Sequence, residues 1–211
     1  MDATGFEARH ISTYFVRRRG ERPFWSLRYP KLTVLCHNST HLIAGATVSL
    51  GPTNDSPEFP PVVRQAARRV SLRGVLADAA FDGEHNHRLC REDLGIPFTA
   101  IPINPRNTPG RPPRGRYRRR LFRRFPRRRY GQRWQVESIF SRHKRRLGSA
   151  LTARSDAARS RELLLRVLTH NLMILRLSLR AFQRSRTTSP VARPGRSRYR
   201  RVPERKGGTC P

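Results

Sequence analysis

The segment YGQRWQVESIFSRHK, from Tyr130 to Lys144, constrains the fold more than any other part of the chain. We predict a helix over about 131–147 that packs on another element, because one of its sides is apolar. The apolar positions are Val136, Ile139, Phe140, His143 and Leu147. The polar positions beside them are Tyr130, Arg133, Glu137 and Lys144. On a helix of about 3.6 residues per turn, this spacing confines the four polar side chains to an arc of roughly 60°.

The remaining apolar patterns predict a mixed sheet with helices outside it. Two β-rich runs around a polar turn predict a hairpin over Lys31–Leu50. A helix with proline near its start is predicted over Pro60–Val70. The short apolar runs in RGVLADAAF and IPFTAIPI predict two buried strands. Between them we predict a helix over about Gly83–Leu94, capped by Asp82. The predicted fold class is therefore α/β.

Composition changes abruptly after the second of these strands. Residues 104–129 contain many arginines and prolines and no acid, so we expect an extended or disordered basic insert. A long helix over about Ser160–Arg184 and a disordered basic tail over 185–211 are also predicted. The chain then divides into the first part of a catalytic domain (1–103), the insert (104–129), two further helices (130–184) and the tail (185–211).

The charge of the chain indicates its partner. Net charge is +31, from 45 Lys+Arg against 14 Asp+Glu, so the chain repels itself unless it meets a polyanion. A solvated basic surface is the simpler interpretation, but nucleic acid is favoured because the excess runs through several segments. Three scattered cysteines without a CxxC motif argue against a disulfide framework or zinc site and fit a reducing cytoplasm. The most apolar stretch, Leu163–Leu179, is interrupted by polar residues, so we predict a soluble protein without a membrane span.

Three acidic residues stand where a carboxylate needs an explanation. Asp2 precedes small residues, Asp78 follows an apolar strand, and Glu137 lies mid-helix between aromatic residues. Each has a structural explanation, since Asp2 could be a solvated terminus, Asp78 could cap a turn, and Glu137 could pair with Arg133. Taken together, three carboxylates that end different elements of one sheet favour a divalent-cation site. Hard oxygen ligands suit Mg²⁺ or Mn²⁺, and a basic chain suits a phosphodiester substrate.

Four further polar residues are expected to be structural. His85 and His87 resemble a metal-binding pair, but positions two apart on a helix point in different directions, so we expect both to be solvated. His170 and Asn171 lie in a helix that is apolar on most sides, and we expect them to form hydrogen bonds across a helix contact.

The chain resembles the catalytic domain of bacterial and archaeal insertion-sequence transposases of the Asp–Asp–Glu superfamily. One branch of that superfamily carries a Tyr-x2-Arg-x3-Glu-x6-Lys signature, which fits Tyr130, Arg133, Glu137 and Lys144 without a gap. DATG resembles the segment that holds the family's first aspartate, and LADAAFD resembles the segment that holds the second. The similarity runs from Asp2 to about Arg180.

This resemblance implies a ribonuclease H-like mixed sheet flanked by helices. It also implies that Asp2, Asp78 and Glu137 hold two Mg²⁺ (or Mn²⁺) ions. One ion would activate water or a 3′-hydroxyl, and the other would stabilise the leaving oxygen in an in-line displacement at phosphorus. The implied activity is metal-dependent cleavage and strand transfer of DNA ends.

The same resemblance implies how DNA is bound. Arg133 and Lys144 would hold phosphates, Tyr130 would orient the strand, and the polar stripe would face the DNA end. The expected partner is DNA at transposon ends. Further expectations are a homodimer in the DNA complex and a cytoplasmic, nucleoid-associated protein.

One departure from the family pattern concerns the first strand. Only Met1 precedes Asp2, whereas the family's first aspartate lies on a central strand with chain before it. We therefore expect a first strand that is largely truncated and a transposase shortened at its N-terminus. A decayed copy, a misplaced start and one half of a frameshifted element stay open, as does activity.

Two other functions compete with transposition. A non-catalytic basic protein would bind nucleic acid through charge alone and has no use for converging acids. A related nuclease would cut without strand transfer and is not distinguished by sequence, because both reactions use the same metal site.

Overall fold

The computed structural model describes residues 1–8, 28–106 and 111–187. These residues form seven strands: β1 Asp2–Gly5, β2 Glu7–Ala8, β3 Tyr29–Cys36, β4 Ile43–Gly51, β5 Val75–Leu76, β6 Thr99–Ala100 and β7 Ala150–Leu151. They also form six α-helices: α1 Phe59–Arg69, α2 Glu84–Arg88, α3 Arg116–Arg123, α4 Arg127–Tyr130, α5 Trp134–Leu147 and α6 Asp156–Thr187. The chain is therefore a mixed α/β protein, as predicted.

The largest sheet contains the predicted hairpin. Strands β3 and β4 pair antiparallel with Leu32 opposite Val48, which confirms the hairpin over Lys31–Leu50. Strand β1 pairs antiparallel with the other edge of β3, so the order is β1–β3–β4. Strands β5 and β6, the two predicted buried strands, form a parallel pair, and β2 pairs with β7 in the same way.

Helices cover both faces of the antiparallel sheet. On one face, α1 and the segments around β5 and α2 form one apolar cluster: Met1, Leu35, Phe59, Val62, Val63, Ala66, Val75, Ala77, Phe81, Leu89, Cys90, Ile96 and Ile101. On the other face, α5 and α6 form a second: Phe6, Leu32, Val34, Ile43, Val136, Ile139, Phe140, Leu151, Leu163 and Val167. Because successive side chains of a strand point to opposite faces, β3 contributes to both clusters.

Helix α1 confirms the prediction of a helix with proline near its start. A side chain at Gly45 of β4 would collide with the Val62 carbonyl, so glycine there allows α1 to lie close to the sheet. Lys31 of β3, only 4% exposed, pairs with Asp55 at 2.7 Å and with Glu58 at 3.0 Å just before the helix. Burial of this lysine is tolerated because both carboxylates neutralise it.

The two C-terminal helices follow the predicted patterns. Four of the five predicted apolar positions of α5 are buried: Val136, Ile139, Phe140 and His143. Helix α6 includes the predicted span Ser160–Arg184 and presents several leucines to solvent. None of the helices in the described residues is both long and apolar enough to cross a membrane.

The expectation of an unpacked insert is wrong for the part of it that the structure describes. Residues 116–123 form helix α3, and Leu121 is buried against the fold. Helix α4 begins at Arg127 within the same segment. The acids that hold α3 come from elsewhere in the chain. Arg118 pairs with Asp82, and Glu84 accepts backbone hydrogen bonds from Tyr117 and Arg118.

The expected cap at Asp82 and the expected solvation of His87 are also wrong. Helix α2 begins at Glu84, and it continues as a wider π-type turn over Leu89–Asp93. The Asp82 carboxylate is fully buried and pairs with Arg118 instead of capping that helix. His85 is exposed, as expected, but His87 is fully buried, with Nδ1 2.9 Å from Thr99 Oγ1. The two side chains therefore point in different directions from the helix, as their spacing predicts.

His170 and Asn171 form hydrogen bonds, but with the hairpin and not with another helix. His170 Nε2 lies 3.1 Å from the His41 carbonyl oxygen. Asn171 accepts from the Ile43 amide and donates to the Ile43 carbonyl, both at 2.9 Å. The two bonds of Asn171 satisfy the backbone groups of Ile43, the first residue of β4. Residues 188–211 of the predicted tail lie outside the described residues.

Candidate active site

Strand β1 places the first predicted carboxylate beside two other strands. Asp2 opens β1 and pairs with Val34 of β3. Immediately before it, the Met1 amino group donates to the Leu76 carbonyl oxygen at 2.5 Å. Leu76 ends β5, and Asp78 follows two residues later. The first two predicted acids therefore belong to neighbouring strand segments that are far apart in sequence.

Arg133 connects two of the three predicted acids. Its Nη1 donates to Asp2 Oδ2 at 3.1 Å, and its Nη2 donates to Glu137 Oε1 at 2.7 Å. The pairing of Glu137 with Arg133 at one helical turn is thereby confirmed as a contact. The interpretation of Asp2 as a solvated terminus is wrong, because its side chain is only 19% exposed and is paired. One guanidinium thus brings the ends of β1 and α5 together.

Asp78 acts on the same group of charges through its own negative charge. It precedes a short 3₁₀ turn, Ala79–Phe81, but its side chain forms no capping hydrogen bond there. Burial raises the pKa of the Asp2 carboxyl above its ordinary value, and the charge of Asp78 raises it further. The Ala3 amide, which donates to Asp2 Oδ1 at 2.9 Å, and the Arg133 guanidinium oppose that rise. A nearby cation favours the charged form of the Asp2 carboxyl, as Arg133 does here.

The surroundings of Arg133 keep it charged. Burial alone would lower its pKa, yet the pKa of this guanidinium is raised because the Tyr130 hydroxyl and the three carboxylates favour the protonated form. The guanidinium carbon lies 5.9 Å from the centroid of the Tyr130 ring. Burial in turn raises the pKa of the Tyr130 phenol, so it stays protonated and can donate a hydrogen bond.

Lys144, the last residue of the polar stripe, lies farther along the same strand. Its Nζ donates to Thr4 Oγ1 at 2.8 Å and lies 5.2 Å from the centroid of the Phe6 ring. Thr4 follows Asp2 by two residues, so their side chains share one face of β1. The stripe therefore runs alongside β1, with Arg133 at Asp2 and Lys144 at Thr4.

The hairpin turn also positions α5, which the sequence did not indicate. His41 Nε2 lies 2.7 Å from Gln135 Oε1, and its Nδ1 lies 3.3 Å from Arg142 Nη1. Asn38 donates to Gln132 Oε1 at 3.1 Å. These partners are about a hundred residues apart, and polar residues in a turn are ordinary, so no local pattern marks them. They fix the start of the helix that carries Glu137.

The three acids are not gathered into a ready-made metal site in the described parts of the chain. Within residues 1–8, 28–106 and 111–187, no three His, Cys, Asp or Glu side chains form a group that could hold a metal ion. In this arrangement the positive charge bonded to Asp2 and Glu137 is that of Arg133. The donor chemistry still suits a hard divalent ion, because the three candidate ligands are all carboxylates.

Comparison with known proteins identifies the domain. The family model described as "Transposase DDE domain" matches residues 1–172, which include β1, Asp78 and all of α5. No solved structure matches the chain. Domains of this family generally use divalent metals and act in DNA transposition. Because the match covers far more than half of the sequence, the chain belongs to the transposase DDE-domain family.

Proposed function

We propose that this protein cleaves and joins DNA at transposon ends in a metal-dependent reaction, with Asp2, Asp78 and Glu137 as its catalytic carboxylates. The observation that carries the proposal is the double contact of Arg133 with Asp2 and Glu137. This contact supports the proposal because it joins two acids that are far apart in sequence, and the charge of Asp78 acts on the same guanidinium. A protein that bound DNA by charge alone would gain nothing from gathering acids in this way.

A ribonuclease H-like sheet is part of the same proposal. Strands β1, β3 and β4 are antiparallel neighbours, and β5 and β6 are parallel. The hydrogen bond from Met1 to Leu76 sets β1 beside β5 and supports one continuous order, β4–β3–β1–β5–β6. In this order Asp2 lies on β1 and Asp78 follows the end of the adjacent strand β5. Assignment to the branch with the Tyr-Arg-Glu-Lys signature also belongs to the proposal.

The three carboxylates would hold two Mg²⁺ or Mn²⁺ ions. When bound, these ions would activate the attacking water or 3′-hydroxyl and stabilise the leaving oxygen. Arg133 and Lys144 would hold phosphates, and the protonated Tyr130 phenol would orient the strand. Arg133 now satisfies Asp2 and Glu137, so a divalent ion would compete with it for the same oxygens. Its guanidinium would then be available to a phosphate of the bound DNA.

A second candidate is a non-catalytic protein that binds nucleic acid. It is favoured by the same ion pairs, since carboxylates neutralised by Arg133 could serve only to attach α5 to β1. The two candidates differ in what a divalent ion does. In the catalytic protein, the ion binds at these acids; in the other, it has no specific site.

Mn²⁺ binding, followed by electron paramagnetic resonance, separates the two candidates. We expect Asp78→Asn and Glu137→Gln to weaken Mn²⁺ binding at least about tenfold, because each removes a charged donor. Arg133→Gln should tighten it by removing the competing cation. Asp93→Asn is the matched control, since this exposed aspartate lies on the turn after α2.

Cleavage of a labelled transposon-end duplex provides the second readout. The same two carboxylate variants should abolish Mn²⁺-dependent cleavage while leaving DNA affinity roughly intact. Absence of saturable Mn²⁺ binding, or equal weakening by Asp93→Asn, would remove the catalytic proposal.

We also propose that two copies pair through α6 in the DNA complex. Five leucines on this helix follow steps of three, four, three and four, and are 47–62% exposed: Leu165, Leu168, Leu172, Leu175 and Leu179. That spacing is the seam of two packed helices. The seam covers only about two heptads, fewer than the three or four of a stable coiled coil, and both copies are strongly positive. We therefore expect pairing only where DNA neutralises the charge and holds the copies together.

Sedimentation velocity with and without a duplex tests this pairing. A complex with two copies should form only with DNA, and the double change Leu168→Gln, Leu175→Gln should remove it. Leu177→Gln is the control, because Leu177 is 50% exposed but lies off the seam. A complex that keeps one copy, or pairing that is equally sensitive to Leu177→Gln, contradicts the proposal.

A further inference from the structure

Six arginines line an open groove along α3. The groove has a volume of ≈ 520 Å³ and is lined by Arg114, Arg116, Arg119, Arg120, Arg123 and Arg124; we call it the arginine groove. No acid lines it, and in the described parts of the chain none of these six forms an ion pair. Among the described residues, the hydrogen-bond partners of Arg119 are the carbonyl oxygens of Pro113 and Arg114, both at 3.4 Å. We propose that the arginine groove binds the phosphodiester backbone of duplex DNA.

Other residues hold α3 in place and leave the groove arginines available. Arg118, on the same helix, donates from Nε to Asp82 Oδ1 at 2.8 Å and from Nη2 to Asp82 Oδ2 at 2.6 Å. The amide of Asn104 donates to Asp82 Oδ2 at 2.9 Å, so both oxygens of this buried carboxylate accept hydrogen bonds. A two-point guanidinium–carboxylate contact fixes orientation as well as position. The contact of Arg118 with Asp82 therefore fixes the orientation of α3.

Glu84 caps the N-terminus of the same helix. Its two oxygens accept from the amides of Tyr117 and Arg118, at 2.9 and 3.0 Å. A side chain at Gly115 would overlap the Glu84 carboxylate, so glycine is required for this approach. A carboxylate at the first turn satisfies amides that have no partner within the helix.

Tyr117 completes the attachment. Its ring stacks on His87 at 6.2 Å between centroids, and its hydroxyl donates to Glu92 Oε1 at 3.1 Å. Leu121 is buried one turn later. Polar and apolar contacts thus hold α3 against α2 along two turns. The arginine groove is therefore a shaped surface of the folded domain.

The dimensions and charge of the arginine groove suit a duplex better than a small anion. Eight helical residues extend about 12 Å. A duplex carries one charge per about 3.4 Å of each strand, so it presents several phosphates to a surface of that length. A single phosphate carries about two charges and would leave most of the arginines repelling one another. The arginines repel each other in the absence of a ligand. A polyanion with many charges reduces this repulsion more than a single small anion does.

This inference rests on the proposed function for its choice of DNA, but its test does not require catalysis. Anisotropy of a labelled 20-base-pair duplex is measured between 50 and 200 mM salt for the full chain. We expect the triple change Arg119→Gln, Arg120→Gln, Arg123→Gln to lower the slope of log K against log salt by about 2–3 units. Affinity at 0.1 M salt should fall at least about tenfold. All three side chains are exposed, and urea denaturation of the variant checks that the fold is kept.

The matched control is Arg64→Gln, Arg68→Gln, Arg73→Gln, which removes the same charge from exposed arginines on and after α1. The proposal stands if only the groove variant loses slope, and it falls if the two triples lose equal slope. Inorganic pyrophosphate is the second probe. If it displaces the duplex at micromolar concentration from the unmodified chain but not from the groove variant, the groove is a small-anion site and the duplex assignment is wrong. Loss of slope in the groove variant together with unchanged Mn²⁺ binding in Asp78→Asn would refute catalysis and leave this inference intact.

Discussion

The polar stripe of α5 and the arginine groove of α3 are both basic, but their cations have different partners. In the stripe, Arg133 is bonded to two carboxylates and Lys144 to a threonine hydroxyl of β1. Among the described residues, no arginine that lines the groove is paired with an acid; Arg118 of the same helix is paired with Asp82 but does not line the groove. The stripe thus holds elements of the fold together, whereas the groove has charge without compensation. A count of basic residues does not locate bound DNA, because pairing decides which cations are available.

The acidic residues of the two regions also differ in their partners. Asp82 and Glu84 serve α3, where each accepts two or more bonds from the arginine-rich segment. Asp2 and Glu137 share one guanidinium, and Glu137 stays 58% exposed. Carboxylates that are buried and fully bonded stabilise a structure, whereas carboxylates that share a cation retain oxygens for another ligand. This difference gives the two regions different sensitivities to mutation.

The largest expected effect comes from Asp82→Asn. It leaves the Arg118 guanidinium without its counter-charge. Removing one partner of a buried ion pair lowers the free energy of unfolding by about 3–5 kcal/mol. Arg118 is 13% exposed and can reach water, so we expect the lower end of that range. Urea denaturation gives the free energy of unfolding. Amide hydrogen exchange should show loss of protection in α3 while α5 keeps its own.

Glu137→Gln is the matched change in the stripe. Its pair with Arg133 is a surface contact between residues one turn apart, worth less than about 1 kcal/mol. If the two variants lose equal stability, or if α3 keeps its protection in Asp82→Asn, the division between anchoring and shared acids is wrong.

Local patterns predicted the elements that bury a regular face. The hairpin, α1 and the apolar side of α5 all follow from residue spacing, since periods of two and 3.6 directly report which side is buried. Helix α3 was missed because composition counts charges and not their partners. The acids that hold Tyr117 and Arg118 lie more than thirty residues earlier in the chain.

The candidate site shows the same limit. The contact of Glu137 with Arg133 follows from helical spacing. The contact of Arg133 with Asp2 joins residues that are far apart in the matched domain, and no spacing argument reaches that far. The resemblance grouped Asp2 with Glu137, and the fold adds that one arginine is bonded to both.

Two buried histidines give a smaller comparison between the same regions. Burial lowers the pKa of His87, beneath α3, and that of His143, in α5, from 6.5 to about 4 each. Both are therefore neutral in the folded protein and take up a proton on unfolding as pH falls below 6.5. Their contribution to stability is complete above pH 6.5 and is lost between pH 6.5 and 4. The loss is on the order of 3 kcal/mol for each histidine.

Replacement by leucine should separate the two. Both ring nitrogens of His143 lack a hydrogen-bond partner among the described residues, and its ring packs edge-on against Phe6 at 5.5 Å. His143→Leu should therefore leave stability at pH 7.5 unchanged or slightly higher, since no hydrogen bond is lost. His87→Leu should lower it by about 1 kcal/mol, because Thr99 loses its partner and Tyr117 loses its stacking contact. Each change should reduce the acid dependence of the free energy of unfolding by up to about 1.4 kcal/mol per pH unit between pH 6 and 5. Equal losses at pH 7.5 would mean that His143 has a partner that the burial argument overlooks, and an unchanged acid slope would mean that neither ring is neutral in the fold.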